Sequence, residues 1–281
     1  MASRNIPNKI LNWYDNNKRE LPWRKPKTLK QSQYFTLVSE IMLQQTQVKT
    51  VIPYFERFIN EIPTIEKLSK IKKNKLLKLW EGLGYYSRVL NLKKTANLLI
   101  KKFDKKLPNT IEDLKQLPGI GDYTSRAILA LEYNKKVIPL DGNIERLLKR
   151  NLFLRKEQEI NKKNLMSKIN YFGNSYRQRD YVQALMELGA LICKPIDPMC
   201  NLCPISNNCK SFKKKDFKII KKIRKNNLKY FKVNIFKNQN KILLIKNVSF
   251  KFLKNHLMFP MKEKKEKDYK LWKKKKIKIK I

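Results

Sequence analysis

The chain has 281 residues, 42% of them hydrophobic, which is enough for one large core or two modest ones. No apolar run approaches the ~20 residues of a membrane span, and the opening MASRNIPNKI lacks a secretory apolar stretch, so a cytoplasmic, reducing location is expected. Lysine and arginine number 65 against 23 aspartates and glutamates, a formal charge of +42 that suits a polyanionic partner such as nucleic acid; lysine dominates the excess, and a coding bias toward A and T would produce it equally well.

In chain order, the first helical pattern covers residues 34–46, where Leu37, Val38, Ile41 and Met42 recur at helical spacing. Glu40 stands inside this apolar stretch. Burial disfavours a charged carboxylate, so Glu40 there would hold a proton for delivery, whereas on a solvent face it would be an ordinary surface residue. Further helices are predicted over 75–80, 88–103, 123–133, 144–152 and 180–192, punctuated by glycine and proline at Gly82-Leu83-Gly84, Pro108, Pro118-Gly119, Pro139 and Gly173.

The run Leu117-Pro118-Gly119-Ile120-Gly121-Asp122-Tyr123-Thr124 leads straight into the 123–133 helix. Two glycines allow a tight turn with outward N–H groups, and the helix adds its positive end, a cradle suited to a phosphate. Apolar residues on both sides, Leu114 and Leu117 before and Ile128 and Leu129 after, make this a helix-hairpin-helix over about 112–134. Asp141, in Pro139-Leu140-Asp141-Gly142-Asn143, precedes the 144–152 helix, whose N-terminal dipole favours an ionised carboxylate. Taken singly it is a helix cap; paired with a protonated Glu40 it supplies the division of labour needed to cleave a glycosidic bond.

Cys193, Cys200, Cys203 and Cys209, separated by six, two and five residues, are the only cysteines. In a reducing compartment they read as one metal-thiolate knot, for which zinc and an iron-sulfur cluster are both chemically suitable. After Cys209 the character changes to a lysine-rich connector, two runs of strand type at 230–236 and 242–245, and a lysine-rich end.

The runs Leu21-Pro22-Trp23-Arg24, Ser39-Glu40-Ile41-Met42-Leu43-Gln44-Gln45-Thr46-Gln47-Val48, Gly82-Leu83-Gly84-Tyr85-Tyr86-Ser87-Arg88, Leu140-Asp141-Gly142-Asn143 and the cysteine spacing together resemble the MutY-type adenine DNA glycosylases of the helix-hairpin-helix, or endonuclease III, superfamily. The resemblance spans about residues 6–210. It implies a mainly α fold of two helical subdomains, and a monofunctional enzyme that removes adenine mispaired with 8-oxoguanine or guanine in double-stranded DNA. By the same resemblance Glu40 protonates the adenine, Asp141 stabilises the positive sugar and Tyr123 lies beside both. Endonuclease III-like enzymes carry a lysine where Tyr123 stands, and tyrosine cannot form their Schiff base.

The resemblance places Gln45 and Tyr85 as wedges in the duplex, Thr46 against the opposite base, and Trp23, Arg24, Asn143 and Gln183 around the substrate, with Gly119 and Gly121 holding phosphate. For Trp23 and Tyr85 a plain core role is the alternative. Cys193, Cys200, Cys203 and Cys209 would hold a 4Fe-4S cluster that orders a basic loop, 194–208, against DNA. The expected layout is a helical domain over 1–210, a basic linker over 211–227, a Nudix-like remnant over 228–261 and a disordered tail over 262–281, in a monomer without membrane attachment. Ile242-Leu243-Leu244-Ile245 with Met258-Phe259-Pro260 resembles only the opening of the family's Nudix-like domain, so adenine excision is expected to survive with a weakened preference for 8-oxoguanine over guanine. The competing functions are an endonuclease III-like lyase and a DNA-binding iron-sulfur protein without catalysis.

Overall fold

The computed structural model describes residues 6–218, 230–250, 252 and 256–264. Contacts divide the chain into two compact units, Met1–Lys222 and Ile223–Ile281. In the first, helices follow one another throughout: α1 (Ile6–Asn17), α2 (Leu29–Leu43), α3 (Val48–Glu61), α4 (Ile65–Lys70), α5 (Lys73–Leu79), α6 (Ser87–Lys102), α7 (Ile111–Lys115), α8 (Asp122–Tyr133), α9 (Gly142–Leu152), α10 (Lys162–Lys168), α11 (Gln178–Glu187) and α12 (Lys210–Lys213). Side-chain caps explain several starts: Thr28, Thr64, Thr110 and Asp141 each accept a hydrogen bond from the backbone three residues on. Among the described residues no helix is long and apolar enough to cross a membrane.

Two hydrophobic cores form within this unit. The first gathers α2 to α8 around Leu37, Phe55, Phe58, Trp80, Leu92 and Ile128. The second joins the N-terminal α1 to α9, α10 and α11 through Ile10, Tyr14, Leu148, Phe172, Tyr181 and Leu185. Helix α8 serves both, with Ile128 and Leu129 in one core and Ala130 in the other. The seam between the cores is therefore spanned by the helix that follows the hairpin.

Helix α2 is buried nearly all round, with a continuous buried stretch from Ser32 to Met42 that includes Gln33, Thr36, Ser39 and Glu40 among its apolar residues, so it runs through the interior instead of lying on it. The predicted 180–192 helix runs to Ile192 but changes form along its length. After Glu187 the backbone makes one wide π-turn over Leu188–Ile192, in which the Cys193 N–H donates to the Leu188 carbonyl at 2.8 Å. Gly189 lies in that turn pressed on Asn143, where an added Cβ would stand 2.6 Å from the Asn143 Cβ.

The expected linker begins as part of this unit. Ser211 is buried in α12, and Phe217 accepts from Arg150 while Asp216 accepts from Arg155. Residues 219–229 of that linker lie outside the described residues. The second unit holds three short antiparallel pairs: β1 (Tyr230–Val233) with β6 (Met261–Lys264), β2 (Lys237–Asn238) with β3 (Lys241–Ile242), and β4 (Ile245–Lys246) with β5 (Leu257–Met258). Strand content is thus thinner than predicted over 230–236 and 242–245. Ile242, Leu243, Leu244 and Ile245 are all exposed, so no buried face fixes one longer register. Phe231, Phe250 and Phe252 pack together, and Asn247 ties the intervening turn through Phe250 and Phe252. Of the expected tail, residues 265–281 lie outside the described residues.

Candidate active site

A cleft of about 810 Å³ opens along the seam of the two cores. Its walls bring together side chains far apart in sequence, Trp23 and Arg24, Glu40 with Gln45 and Thr46, Tyr123, Asp141 with Asn143, and Gln183. The hairpin glycines and Tyr85 lie outside that lining.

Glu40 projects from α2 and is 7% exposed. Loss of water raises its carboxyl to about 7; the facing Asp141 adds to the rise, and a hydrogen bond with Tyr123 opposes it. Tyr123 sits in the first turn of α8, where burial and the two carboxyls push its hydroxyl well above the ordinary tyrosine range, so it remains a donor. The plainer possibility for Glu40, a solvent-facing residue, does not hold. Asp141 caps α9, with Oδ1 accepting from the Ile144 N–H at 2.7 Å, and it also lines the cleft.

The ionisation of Asp141 differs in balance from the expectation based on the helix dipole. Burial raises its carboxyl above the ordinary value, and the Ile144 N–H, the Asn143 side-chain and backbone N–H groups and Arg146 pull against that rise. The Asn143 Nδ2 donates to Oδ2 at 3.0 Å. Asn143 is itself held by Arg146, whose Nη2 donates to Asn143 Oδ1 at 2.8 Å and to the Gly189 carbonyl at 2.6 Å, while Nε donates to the Cys193 carbonyl at 2.7 Å. A continuous polar chain thus runs from the cleft to the cysteine loop.

Trp23 and Arg24 enter from the short turn Pro22–Arg24. Trp23 belongs to the first core, packed edge-on against Phe55, and presents its remaining surface to the cleft. Arg24 and Arg19 both bind Glu187, at 2.9 and 2.7 Å, and this glutamate is 1% exposed at the end of α11. No motif in the chain marks Arg19 or Glu187. The one local signal is a glutamate on the buried side of α11, which gains meaning when both arginines arrive from the N-terminal segment. Gln183 is half-buried on α11, its amide near the Arg179 carbonyl at 3.4 Å.

At the hairpin, Gly119 has φ +86, the left-handed region, and an added Cβ would meet Asn91 at 3.2 Å. Gly121 differs from expectation: its backbone is extended, φ −101 and ψ −170, so the turn does not require a glycine there. Nothing lies within 4 Å of the place its Cβ would take, which leaves the entry to α8 open. Gln45 and Tyr85 are exposed, each on a left-handed residue, φ 60 and φ 47. Tyr85 at 66% exposure is no core aromatic.

Cys193, Cys200, Cys203 and Cys209 line one small cavity and none forms a disulfide. Among the described residues no three His, Cys, Asp or Glu side chains are arranged to hold a single metal ion. Burial and the neighbouring sulfurs push the Cys203 thiol up to about 12, and Arg150 donates to Cys193 Sγ at 3.3 Å. The loop over 194–208 is not basic in itself, carrying Lys194 and Asp197 as its charged residues.

A hairpin leading into a helix across the seam of two helical cores, with carboxyls converging in the cleft, defines a helix-hairpin-helix base-excision protein. Residues 38–171 accordingly match the HhH-GPD superfamily base excision DNA repair protein family. The chain is 40% identical to the adenine DNA glycosylase of Buchnera aphidicola subsp. Schizaphis graminum, over 96% of this chain and 78% of that one. It is 36% identical to the adenine DNA glycosylase of Homo sapiens, over 72% of this chain and 38% of that one. The chain belongs to the adenine DNA glycosylase family and is a DNA N-glycosylase. Among solved structures, a thermostable thymine-DNA glycosylase superposes with a TM-score of 0.64 at 25% identity, covering 74% of this chain and 95% of that one. Endonuclease III in a non-covalent DNA complex superposes at 0.61 with 18% identity, over 76% and 98%, and shares the fold.

Proposed function

We propose that the enzyme removes adenine mispaired with 8-oxoguanine or guanine by hydrolysing its N-glycosidic bond, leaving an abasic site in an uncut strand. The observation that carries this reading is the pair Glu40 and Asp141 in one cleft. A carboxyl raised to about 7 keeps its proton in a sizeable fraction at neutral pH and delivers it to the departing base. Asp141, with donors arranged on its ionised form, faces the sugar as positive charge develops there. Tyr123 orients the Glu40 carboxyl through its hydroxyl and offers no amine for a Schiff base.

Adenine reaches these groups only when turned out of the stack, against a few kcal/mol of lost stacking and pairing. Gln45 and Tyr85 fill the gap, Thr46 meets the opposite base, and Trp23, Arg24, Asn143 and Gln183 hold the extruded nucleotide, with Glu187 fixing Arg24. Gly119 and Gly121 let a phosphate approach the α8 N-terminus.

The four cysteines suit a 4Fe-4S cluster. The donor set is all sulfur, and buried thiols that resist ionisation need the charge of a bound metal group to become thiolates. When bound, the cluster ties the 194–208 loop to α9. Arg150 and Arg146 hold Cys193 from the α9 side, so the same anchoring orders the chain beside Asp141.

The deciding experiment incubates duplexes carrying adenine opposite 8-oxoguanine, adenine opposite guanine, and thymine glycol, then treats them with or without alkali. Strand cleavage only after alkali and only on the adenine mispairs is expected. Borohydride trapping of a covalent complex, or cleavage at thymine glycol, would select the lyase reading instead. Brown protein with cluster absorbance and iron is expected, and colourless protein containing zinc would refute the cluster.

A further inference from the structure

Arg88 opens α6 and is 8% exposed, yet its six hydrogen-bond partners are all neutral oxygens. Nη1 lies 3.2 Å from the Ile41 carbonyl, 2.8 Å from that of Met42, 2.5 Å from that of Gln44 and 3.2 Å from the Thr46 hydroxyl. Nη2 lies 2.9 Å from the Leu83 carbonyl and 3.3 Å from that of Gly84. Two hydrogens cannot serve four oxygens at full strength, so Nη1 is shared among them. The guanidinium also lies over the Trp80 and Tyr85 rings, with centroids at 5.4 and 5.7 Å. Burying a charge is unfavourable unless many dipoles face it, which is what these carbonyls supply.

The partners fall on two separate turns. Gln44 and Thr46 flank Gln45, and Gly84 directly precedes Tyr85; both of these are exposed residues held in left-handed backbone. Such conformations in residues with a Cβ persist where surrounding contacts over-determine them. One planar group therefore fixes both turns against each other and against the last turn of α2. We propose that Arg88 is a positioning residue that sets the spacing of the Gln45 and Tyr85 turns, so that both side chains enter the duplex together as adenine leaves the stack. This rests on the reading of Gln45 and Tyr85 as wedges. Capping α2 would need Ile41 and Met42 alone; the reach to Leu83 and Gly84 is what couples the second turn.

The test compares wild type with Arg88→Lys, Arg88→Gln, Tyr85→Ala and Tyr85→Ala combined with Arg88→Lys. Each is measured for single-turnover adenine release at saturating enzyme, for fluorescence of a 2-aminopurine beside the mispair, and for its thermal transition. Arg88→Lys is expected to slow release by about tenfold and to lower the unstacking signal in step, because a misplacement near 1 Å is enough for such losses. The pH at which the rate turns over is expected to stay where it is, and Arg88→Lys is expected to slow release less in the Tyr85→Ala background than it does alone, because only the Gln45 turn is then left to displace. Multiplicative losses in the double variant, a moved turnover pH, or variants that do not fold at the assay temperature would overturn the proposal, since helix capping would then explain Arg88. If Tyr85→Ala alone changed neither release nor fluorescence while wild type released adenine, the wedge reading would fail first.

Discussion

Beside the arginine-paired Glu187, the cleft is lined by one carboxyl from α2 and one at the start of α9, and the difference between these two is instructive. On the α2 side Glu40 emerges from a helix that is buried on nearly every face, with the Tyr123 hydroxyl as the group that favours its charged form. On the α9 side Asp141 sits at a helix start, where two backbone N–H groups, an amide and a guanidinium all favour the anion. Burial raises both. The number of donors, set by the element each residue sits on, separates a proton reservoir from a group held toward its charged form.

Several measurements can break or sharpen that contrast. Glu40→Gln removes the proton donor and should slow single-turnover adenine release by about 10²–10⁴-fold, the range for general acid catalysis, with mispair binding retained. Retention of more than a tenth of the rate would end the assignment. Asp141→Asn should slow release by about 10²–10³-fold, as for loss of one preorganised electrostatic group. Its melting temperature should hardly move, because asparagine caps a helix about as well as aspartate.

The rate of wild type should fall as pH rises through about 7, where Glu40 loses its proton. Two substitutions should move that limb in opposite directions. Tyr123→Phe deletes the bond that lowers the Glu40 value and should shift the limb to higher pH, while Asp141→Asn deletes the charge that raises it and should shift the residual rate to lower pH. Shifts of the same sign would show that the two walls do not act independently on Glu40.

The smallest effect is on stability. A carboxyl raised on folding binds its proton more tightly in the native state, so its favourable contribution is present below about 4.5 and lost as pH rises through about 7. Above that pH Glu40→Gln should unfold at higher denaturant than wild type, by at most roughly 3 kcal/mol, and the two should converge in acid. A variant less stable than wild type at pH 8 would contradict the burial described for Glu40.

Most of the helical layout was legible in the chain because apolar spacing and turn residues are local signals. The 88–103 and 123–133 helices fall within a residue of α6 and α8. The 180–192 helix ends at Ile192 as the pattern predicts, but its last turn is π, a form that apolar spacing does not show; Gly189 in that turn lies against Asn143, 46 residues away in sequence. The strands at 242–245 were overread since an apolar run without a partner face does not fix a register. Glu187 carries no local signal of its partners, because its arginines lie at the other end of the chain, at Arg19 and Arg24.

The order of residues alone determined which groups were available: two isolated carboxylates, a tyrosine directly after a glycine hairpin, and four thiols within seventeen positions. Those features depend on neighbours in the chain. Tertiary structure alone decided that α1 and α11 close a second core, that Glu40, Tyr123 and Asp141 share one cleft, and that Arg88 joins two turns. Desolvation and hydrogen bonding act through space, so the protonation of Glu40 comes into existence only when distant helices have excluded water from around it.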